Sequence, residues 1–283
     1  MPQILTFHSL FCMIIKLARN SVGRNDLAGY SISLSVVTYN NDACIEKMLD
    51  SLYEYTWGVP FQLYVINNGP EGSVDLKRSR YNNLTLIQSE KNIGFGSAHN
   101  KILDKIDSKY HVIINPDVFI DYDVIKAIAD YMDRNDDIGI ITPMVKYPDG
   151  RIQALPKRDP KFKYLLSRRL PLGFLKKYRD EYEMAERGAG ETFDVEFATG
   201  CFMFIRTELF KKVCGFDERF FLYFEDADLS RKIREFARVQ YNPQFYVYHS
   251  WQRAGAKNLR LFIIQVISMF KYFAKWKAYR GTI

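Results

Sequence analysis

Four short apolar runs, residues 32–38, 61–66, 84–87 and 110–114, constrain this chain more than any other feature. Each has the length of a strand, and helical periodicity fills the gaps between them. Cys44, Ile45, Met48, Leu49 and Leu52 follow the first run at helical spacing. Two further helices are expected over about 97–106 and 122–132, and a fifth strand over 138–141. Buried strands separated by helices pair in parallel, because a parallel connection needs a crossover of helix length. The expectation is an α/β fold with a mostly parallel sheet covered by helices, and ligands at the carboxyl ends of its strands.

Those ends carry a concentrated set of polar turns. The first run closes in Thr38-Tyr39-Asn40, the second in Asn67-Asn68-Gly69 and the fourth in Asn115-Pro116-Asp117. Between them lies the glycine loop Asn92-Ile93-Gly94-Phe95-Gly96-Ser97-Ala98-His99-Asn100. Any one of these is ordinary turn chemistry. Four on one sheet edge point to a ligand site, where glycines admit close backbone approach and a helix N-terminus favours anions.

A second concentration lies downstream. The unbroken run Phe220-Phe221-Leu222-Tyr223-Phe224 delivers Glu225, Asp226 and Asp228 to the start of a helix, with Leu229, Ile233 and Phe236 at i, i+4 and i+7. Acids in a first turn serve as caps and favour the macrodipole. An apolar approach also desolvates them, which raises basicity as a general base requires. Asp228 has Arg231 and Lys232 at i+3 and i+4 as expected ion partners.

In this order, Ser35-Val36-Val37-Thr38-Tyr39-Asn40, the 92–100 loop, Asn115-Pro116-Asp117 and Glu225-Asp226-Ala227-Asp228-Leu229 resemble the signatures of family-2 glycosyltransferases, in their bacterial rhamnosyltransferase-like branch. The resemblance covers roughly residues 32–276. It implies a GT-A fold, with a Rossmann-like nucleotide-binding sheet, an acceptor-side subregion and C-terminal helices. It further implies inverting transfer from a nucleotide-sugar to an acceptor hydroxyl, assisted by Mg2+ or Mn2+. On the family pattern, Thr38, Tyr39, Asn40, Asn67, Asn92, Gly94, Phe95, Gly96, Asn115 and Gly200 bind the donor. Asp117 and His249 hold the metal, Asp226 is the base, and Glu225 positions the acceptor. The family commonly has Asp where this chain has Asn67 and Asn115. An Asn amide can still pair with a pyrimidine imide, but Asn115 weakens a hard-cation site. A lone histidine is otherwise a hydrogen-bonded structural residue, and His8, His99 and His111 take that reading, His99 with phosphate contact as an alternative.

The implied organisation is an extension over 1–30, a donor half over 31–144, an acceptor half over 145–250 and a basic amphipathic helical region over 251–283. Within 1–30, Leu10, Phe11, Ile14 and Ile15 allow a short amphipathic helix. The apolar segment 4–18 is too short to span a bilayer and has no preceding positive charge, so no secretory signal is expected. The four cysteines are scattered, which favours a reducing compartment over a disulfide scaffold or zinc site.

The net charge of +7 is concentrated at the C-terminus, where residues 251–283 hold seven basic side chains and no acid. Leu259, Phe262, Ile263, Val266, Phe270 and Phe273 form a helical stripe with Arg260, Lys271 and Lys275 on the opposite flank. Such a helix suits an anionic membrane surface or docks its stripe on the core. Residues 157–177 mix lysines and arginines with Phe162, Leu166, Leu170, Leu172 and Phe174, a composition suited to gripping a lipid-linked diphosphate acceptor.

The sum is an enzyme peripheral at the inner face of a bacterial membrane, acting in surface-polysaccharide biosynthesis. Its donor is expected to be dTDP-rhamnose and its acceptor a lipid-linked saccharide, with no nucleic-acid partner. One rival is a sugar nucleotidyltransferase, which should carry a glycine- and arginine-rich loop where this chain has Tyr39-Asn40-Asn41-Asp42. The other is an inactive lipid- or nucleic-acid-binding module, against which Asp117 and Asp226 count.

Overall fold

The computed structural model describes residues 31–39, 42–74, 76, 81, 83–153, 156–170, 172–250 and 258–280. Asn40, the 1–30 extension with its expected helix and His8, and Arg253 and Lys257 lie outside the described residues.

Strands β1 (Ile32–Thr38) and β4 (Tyr110–Ile114) have the expected bounds, and β2 (Phe61–Asn67) and β3 (Leu84–Gln88) run one residue further. They pair in the order β3-β2-β1-β4, all in parallel. Every residue of β2 and β4 is buried, as continuous apolar runs require of strands covered on both faces. The register sets Thr38 opposite Asn67 and Asn67 opposite Gln88, so the polar turns share one edge. Helix α1 (Asp42–Tyr55) connects β1 to β2 and buries Ile45, Met48, Leu49 and Leu52 against the sheet.

Helix α2 (Phe95–Asn100) starts and stops earlier than its apolar spacing suggests. After it the chain tightens into i→i+3 bonds such as Leu103 N–H to Asn100 O. The Asn100 side chain exchanges two hydrogen bonds with the Phe216 backbone. Helix α3 (Val124–Asp133) begins at Val124 because the Asp123 carboxylate accepts from the Lys126 N–H.

Beyond β4 the chain adds β5 (Val118–Phe119), β6 (Ile138–Lys146), helices α4 (Phe162–Arg169) and α5 (Lys176–Tyr182), β7 (Phe193–Asp194), β8 (Phe202–Arg206), α6 (Thr207–Lys212), α7 (Glu225–Ile233), β9 (Arg238–His249) and α8 (Leu259–Arg280). The sheet continues β4-β8-β6-β9-β5, with β7 on β9. Strand β8 is antiparallel to both neighbours, while β6 and β9 are parallel. The boundary expected at 144/145 falls inside β6, and β8 lies between β4 and β6. The two expected halves therefore share one sheet.

A polar thread crosses the donor side. Ser108 and Ser33 hydroxyls meet at 2.7 Å, Ser33 and Ser35 bracket the two ring nitrogens of His111, and Ser35 reaches His99 Nδ1 at 2.7 Å. Burial depresses both imidazoles, His111 to about 3, so both are neutral. His99 is fully buried, edge-on to Phe95 and tilted against Phe216, a placement that fits the structural reading.

Helix α8 leaves most of the apolar stripe off the core, while Phe273 packs against it. Leu259, Phe262, Ile263 and Phe270 are exposed, whereas Ser268, Tyr272 and Trp276 are buried. Lys275, assigned to the solvent flank, points inward to Asp217 and Asp228. Tyr272 and Trp276 join Tyr164, Tyr182, Phe220 and Phe224 in a separate aromatic core beneath α7.

Candidate active site

The site forms where the carboxyl edge of the parallel strands meets the start of α7. Asn67 is buried, and its side chain is consumed locally. The amide donates to Pro70 O at 2.9 Å and Gln88 Oε1 at 2.8 Å, and the side-chain carbonyl accepts from the Gly69 N–H at 2.9 Å. With donor and acceptor engaged, this amide shapes the 67–73 turn rather than offering a free edge to a pyrimidine. Thr38 is fully buried, with a hydroxyl that has no partner among the described residues, and Tyr39 is half exposed.

The neighbouring Asn68 does what the motif did not foresee. Its amide donates to Asn92 Oδ1 at 3.0 Å and Gly94 O at 3.1 Å, while its carbonyl accepts from the Ile93 N–H at 3.2 Å. Asn92 closes the same loop by accepting from the Gly94 N–H. Turn composition alone does not separate Asn67 from Asn68, which is why sequence reasoning missed the second.

Gly94 has φ +92° and ψ 173°, a region essentially restricted to glycine. Its close approach is to protein, not ligand. A Cβ there would overlap the Phe221 carbonyl oxygen and come within 2.9 Å of Phe221 Cα. The Phe95 N–H donates to that same carbonyl at 2.9 Å. Gly96 is likewise packed on Phe216. The glycine loop is therefore bolted to the apolar run that leads into Glu225 and Asp226.

That run ends in backbone seldom adopted by bulky residues, with Tyr223 at φ 71° and Phe224 at φ 70°. The turn aims α7 so that Asp226 meets the 198–201 turn. Gly200 N–H donates to Asp226 Oδ2 at 3.1 Å and Ala227 N–H to Oδ1 at 2.8 Å. Gly200 sits between Phe95 and Asp226, where a Cβ would touch the Phe95 ring at 3.4 Å and Asp226 Cβ at 3.5 Å. Donor loop and acidic pair thus converge on one residue.

The acids differ in environment. Burial, then the charge of Asp226, pushes the Glu225 carboxyl up to about 8, and Glu225 Oε2 has no partner among the described residues. Burial also raises Asp226, but the Gly200 N–H, the charge of Lys157 and the Ala227 N–H all oppose it. The two N–H donors and the nearby Lys157 favour the charged form at Asp226, whereas Glu225 is pushed toward the protonated form. Asp228 takes no part, since it is fully buried and accepts from Lys275 Nζ at 2.8 Å and Trp276 Nε1 at 3.0 Å. Its expected partners look elsewhere. Lys232 donates to the carbonyls of Val213 and Gly215, and Arg231 lies 3.9 Å from Asp159. Phe236 lies past the end of α7 and is half exposed.

Asp117 and His249 are brought together by strand register. Val118 of β5 pairs with His249 of β9, and the Ser250 N–H donates to Asp117 O at 3.0 Å. Asp117 Oδ1 then faces His249 Nε2 at 3.2 Å. Gln153, a contact without sequence signal, donates its amide to His249 O at 2.8 Å and so turns its carbonyl toward His249 Nδ1 at 3.3 Å. A proton on Nδ1 leaves the Nε2 lone pair directed at a carboxylate, a donor set that suits a divalent cation. No group of three or more metal-ligating side chains occurs among the described residues, so further ligands would have to come from substrate oxygens or water. Asn115 is partly buried next to this pair, its N–H bonded to Cys201 O at 2.9 Å.

The family model described as glycosyl transferase family 2 matches residues 33–214, well over half of the chain. An N-acetylglucosaminyl-diphospho-decaprenol L-rhamnosyltransferase of Mycobacterium tuberculosis is 27% identical over 215 residues, covering 70% of this chain and 68% of that protein. Among solved structures, the mannosyltransferase PcManGT of Pyrobaculum calidifontis, in complex with GDP-Man and Mn2+, superposes with a TM-score of 0.59 at 18% identity. That match covers 88% of this chain and 66% of the other. S. aureus TarS 1-349 in complex with UDP-GlcNAc gives 0.55 at 17% identity, covering 84% and 66%. The chain thus spans just under two thirds of these solved structures.

Proposed function

This chain belongs to glycosyl transferase family 2 and has the GT-A fold, and from that premise we propose that it transfers a sugar with inversion from a nucleoside-diphosphate sugar to a hydroxyl of a lipid-linked saccharide. The donor sugar in this reading is rhamnose from dTDP-rhamnose, and the setting is surface-polysaccharide assembly at the inner face of a bacterial membrane. The observation that carries the reading is the contact of Asp226 with Gly200, whose other side is covered by Phe95 of the donor loop. It sets a carboxylate that accepts two N–H bonds beside the turn where a donor sugar would sit.

An inverting transfer is one displacement at the anomeric carbon, so the acceptor hydroxyl loses its proton as it attacks. Asp226 receives that proton, since the Gly200 and Ala227 N–H groups fix its orientation. Protonated Glu225 donates a hydrogen bond instead of competing as base. Phe95 and the buried Thr38 line the approach and limit water. A divalent cation held by Asp117 and His249 would offset the charge on the departing nucleoside diphosphate.

The acceptor class draws support from the name of the mycobacterial relative, whose substrate is a diphospho-decaprenol. The surface offers a complementary face. Phe162, Leu166, Leu170, Leu172 and Phe174 around α4 and Leu259, Phe262, Ile263, Ile267 and Phe270 on α8 are all exposed. Arg169 joins the two groups, its guanidinium 4.3 Å from the Phe262 ring centroid and bonded to Gln265. Exposed apolar side chains among arginines and lysines suit an anionic bilayer surface. Among the described residues, no helix is long and apolar enough to cross a membrane.

Thermal-shift titration with dTDP-rhamnose, GDP-mannose and UDP-N-acetylglucosamine tests the donor, because bound ligand stabilises the folded state. The largest shift is expected with dTDP-rhamnose. A larger one with either of the others redirects the donor assignment, and no shift with any nucleotide-sugar overturns the function. Asp117→Ala and excess chelator should each abolish transfer, and full turnover in chelator would remove the metal from the account.

A further inference from the structure

The basic residues between 157 and 177 are not equivalent. Arg158 is paired with Glu186, Lys163 with Glu181 at 2.9 Å and Lys176 with Asp180 at 2.5 Å. Arg169 is engaged with Phe262 and Gln265. Lys157 and Arg168 have no carboxylate within ion-pair distance among the described residues, although they lie beside the catalytic turn.

The placement of Lys157 is rigid. It forms a bridge with Phe197, whose N–H donates to Lys157 O at 3.3 Å, three residues before Gly200. The following residues lock the segment, with Arg158 N–H to Tyr182 O at 3.0 Å and Asp159 N–H to Glu196 Oε2 at 2.6 Å. The Lys157 ammonium stands 5.5 Å from the Phe197 ring centroid and the Arg168 guanidinium 5.8 Å from that of Tyr182. Those two rings adjoin, 6.4 Å apart. Two cations therefore lie over one aromatic floor next to Asp226.

They also feel each other. Burial, then the charge of Arg168, depresses the Lys157 ammonium to about 8, while Asp226, Cys201 and Glu183 act in the opposite sense. Two like charges held together without a bonded counter-ion are stabilised by an anion, and a diphosphate offers several oxygens at once.

We infer that Lys157 and Arg168 form a subsite for the diphosphate of the acceptor, separate from the donor diphosphate near Asp117, with the paired lysines of α4 and α5 left outside it. This rests on the proposed transfer to a diphosphate-linked acceptor and names the residues that would recognise it. The acceptor diphosphate then sits on the α4–α5 side of Asp226, with the sugar hydroxyl that loses its proton directed to the carboxylate. The subsite opens toward the exposed apolar face from which a lipid would enter.

Calorimetric titration of the full chain tests this with two probes. Inorganic pyrophosphate in metal-free buffer reads the subsite, and the nucleoside diphosphate that the wild type binds most tightly, with Mn2+, reads the donor side. Lys157→Met and Arg168→Gln should each weaken pyrophosphate by about tenfold or more, the loss of one charge-assisted contact, with nucleotide affinity held within about twofold. Lys163→Gln and Lys176→Gln should change neither, and Lys157→Arg should restore pyrophosphate binding, which separates charge from misfolding. Unchanged pyrophosphate affinity in Lys157→Met and Arg168→Gln, or a parallel fall in nucleotide affinity, overturns the subsite. Failure of the wild type to bind any nucleoside diphosphate would instead overturn the proposed transfer, and the pyrophosphate titrations would still decide the subsite.

Discussion

The two sides of the shared sheet satisfy their polar groups in opposite ways. On the donor side, Asn67, Asn68, Asn92 and Gln88 bond to one another and to nearby backbone, and Ser33, Ser35, His99 and His111 form a connected thread, with the Thr38 hydroxyl and His99 Nε2 left without partners among the described residues. Partners there are mostly within one turn or across one pair of strands. On the acceptor side, neither Glu225 Oε2 nor Lys157 has its natural partner among the described residues, a hydrogen bond for the first and an ion-paired carboxylate for the second, and Tyr223 and Phe224 hold left-handed backbone. Asp228 is bonded to side chains almost fifty residues away. A preformed polar cradle suits a constant ligand such as a nucleotide. Strain and unpaired charge suit chemistry that is completed only when a second substrate arrives.

If that contrast is real, the largest stability loss should come from the long-range knot on the acceptor side. Asp228→Ala removes the carboxylate that accepts from Trp276 Nε1 and strips Lys275 of one of its two carboxylates, so it should cost about 3 kcal/mol. Urea unfolding measures the loss, and nucleotide affinity of the folded fraction should persist because, among the described residues, the hydrogen bonds and ion pairs of α8 run to residues 169 and 217–231 rather than to the donor strands. Collapse of nucleotide binding would mean that the sides are not separable.

Gly94 tests the seam between them. Gly94→Ala adds a Cβ against Phe221 in a glycine-only conformation and should cost about 2 kcal/mol or more, with loss of both nucleotide binding and transfer. Gly72, at φ +75° with open space around it, is the control, and Gly72→Ala should cost about 1 kcal/mol with binding intact. Equal effects from the two substitutions would show that strain alone, not the seam, matters.

Glu225 sharpens the comparison through pH rather than through a single loss. Its folded-state carboxyl titrates near 8, above its unfolded value, so its contribution is fully present at acidic pH and is lost as pH rises toward 8. Glu225→Gln should therefore flatten the decline in stability between about pH 5 and 8, read from thermal midpoints across that window. An unchanged slope would place the titration elsewhere.

Sequence legibility follows the same division. The donor strands were readable because each is a continuous apolar run ended by a turn, and Asp117 with His249 stood out by motif. Why those two meet was not readable, since it depends on the two-residue strand β5 pairing with the end of the twelve-residue β9. Asp228 was matched to Arg231 and Lys232 by helical spacing, but tertiary partners on α8 won because they bury the carboxylate completely. The stripe on α8 left two covers open for a related reason. Apolar periodicity marks a face, and it does not say whether protein or another apolar phase covers it. Lys157 opens the basic stretch read as an acceptor grip, but only its bridge to Phe197 sets it, and not its neighbours, beside the catalytic turn.

The central claim is that Asp226 is the base in a single displacement. Asp226→Asn keeps shape and hydrogen-bonding length while removing basicity, and is best compared with Glu225→Gln by turnover with a lipid-linked acceptor alongside donor affinity by calorimetry. The account predicts that Asp226→Asn lowers turnover by roughly 10²-fold to 10⁴-fold with donor affinity nearly unchanged, while Glu225→Gln, already neutral at pH 7, keeps most of its activity. Near-normal turnover in Asp226→Asn together with an inactive Glu225→Gln would contradict it.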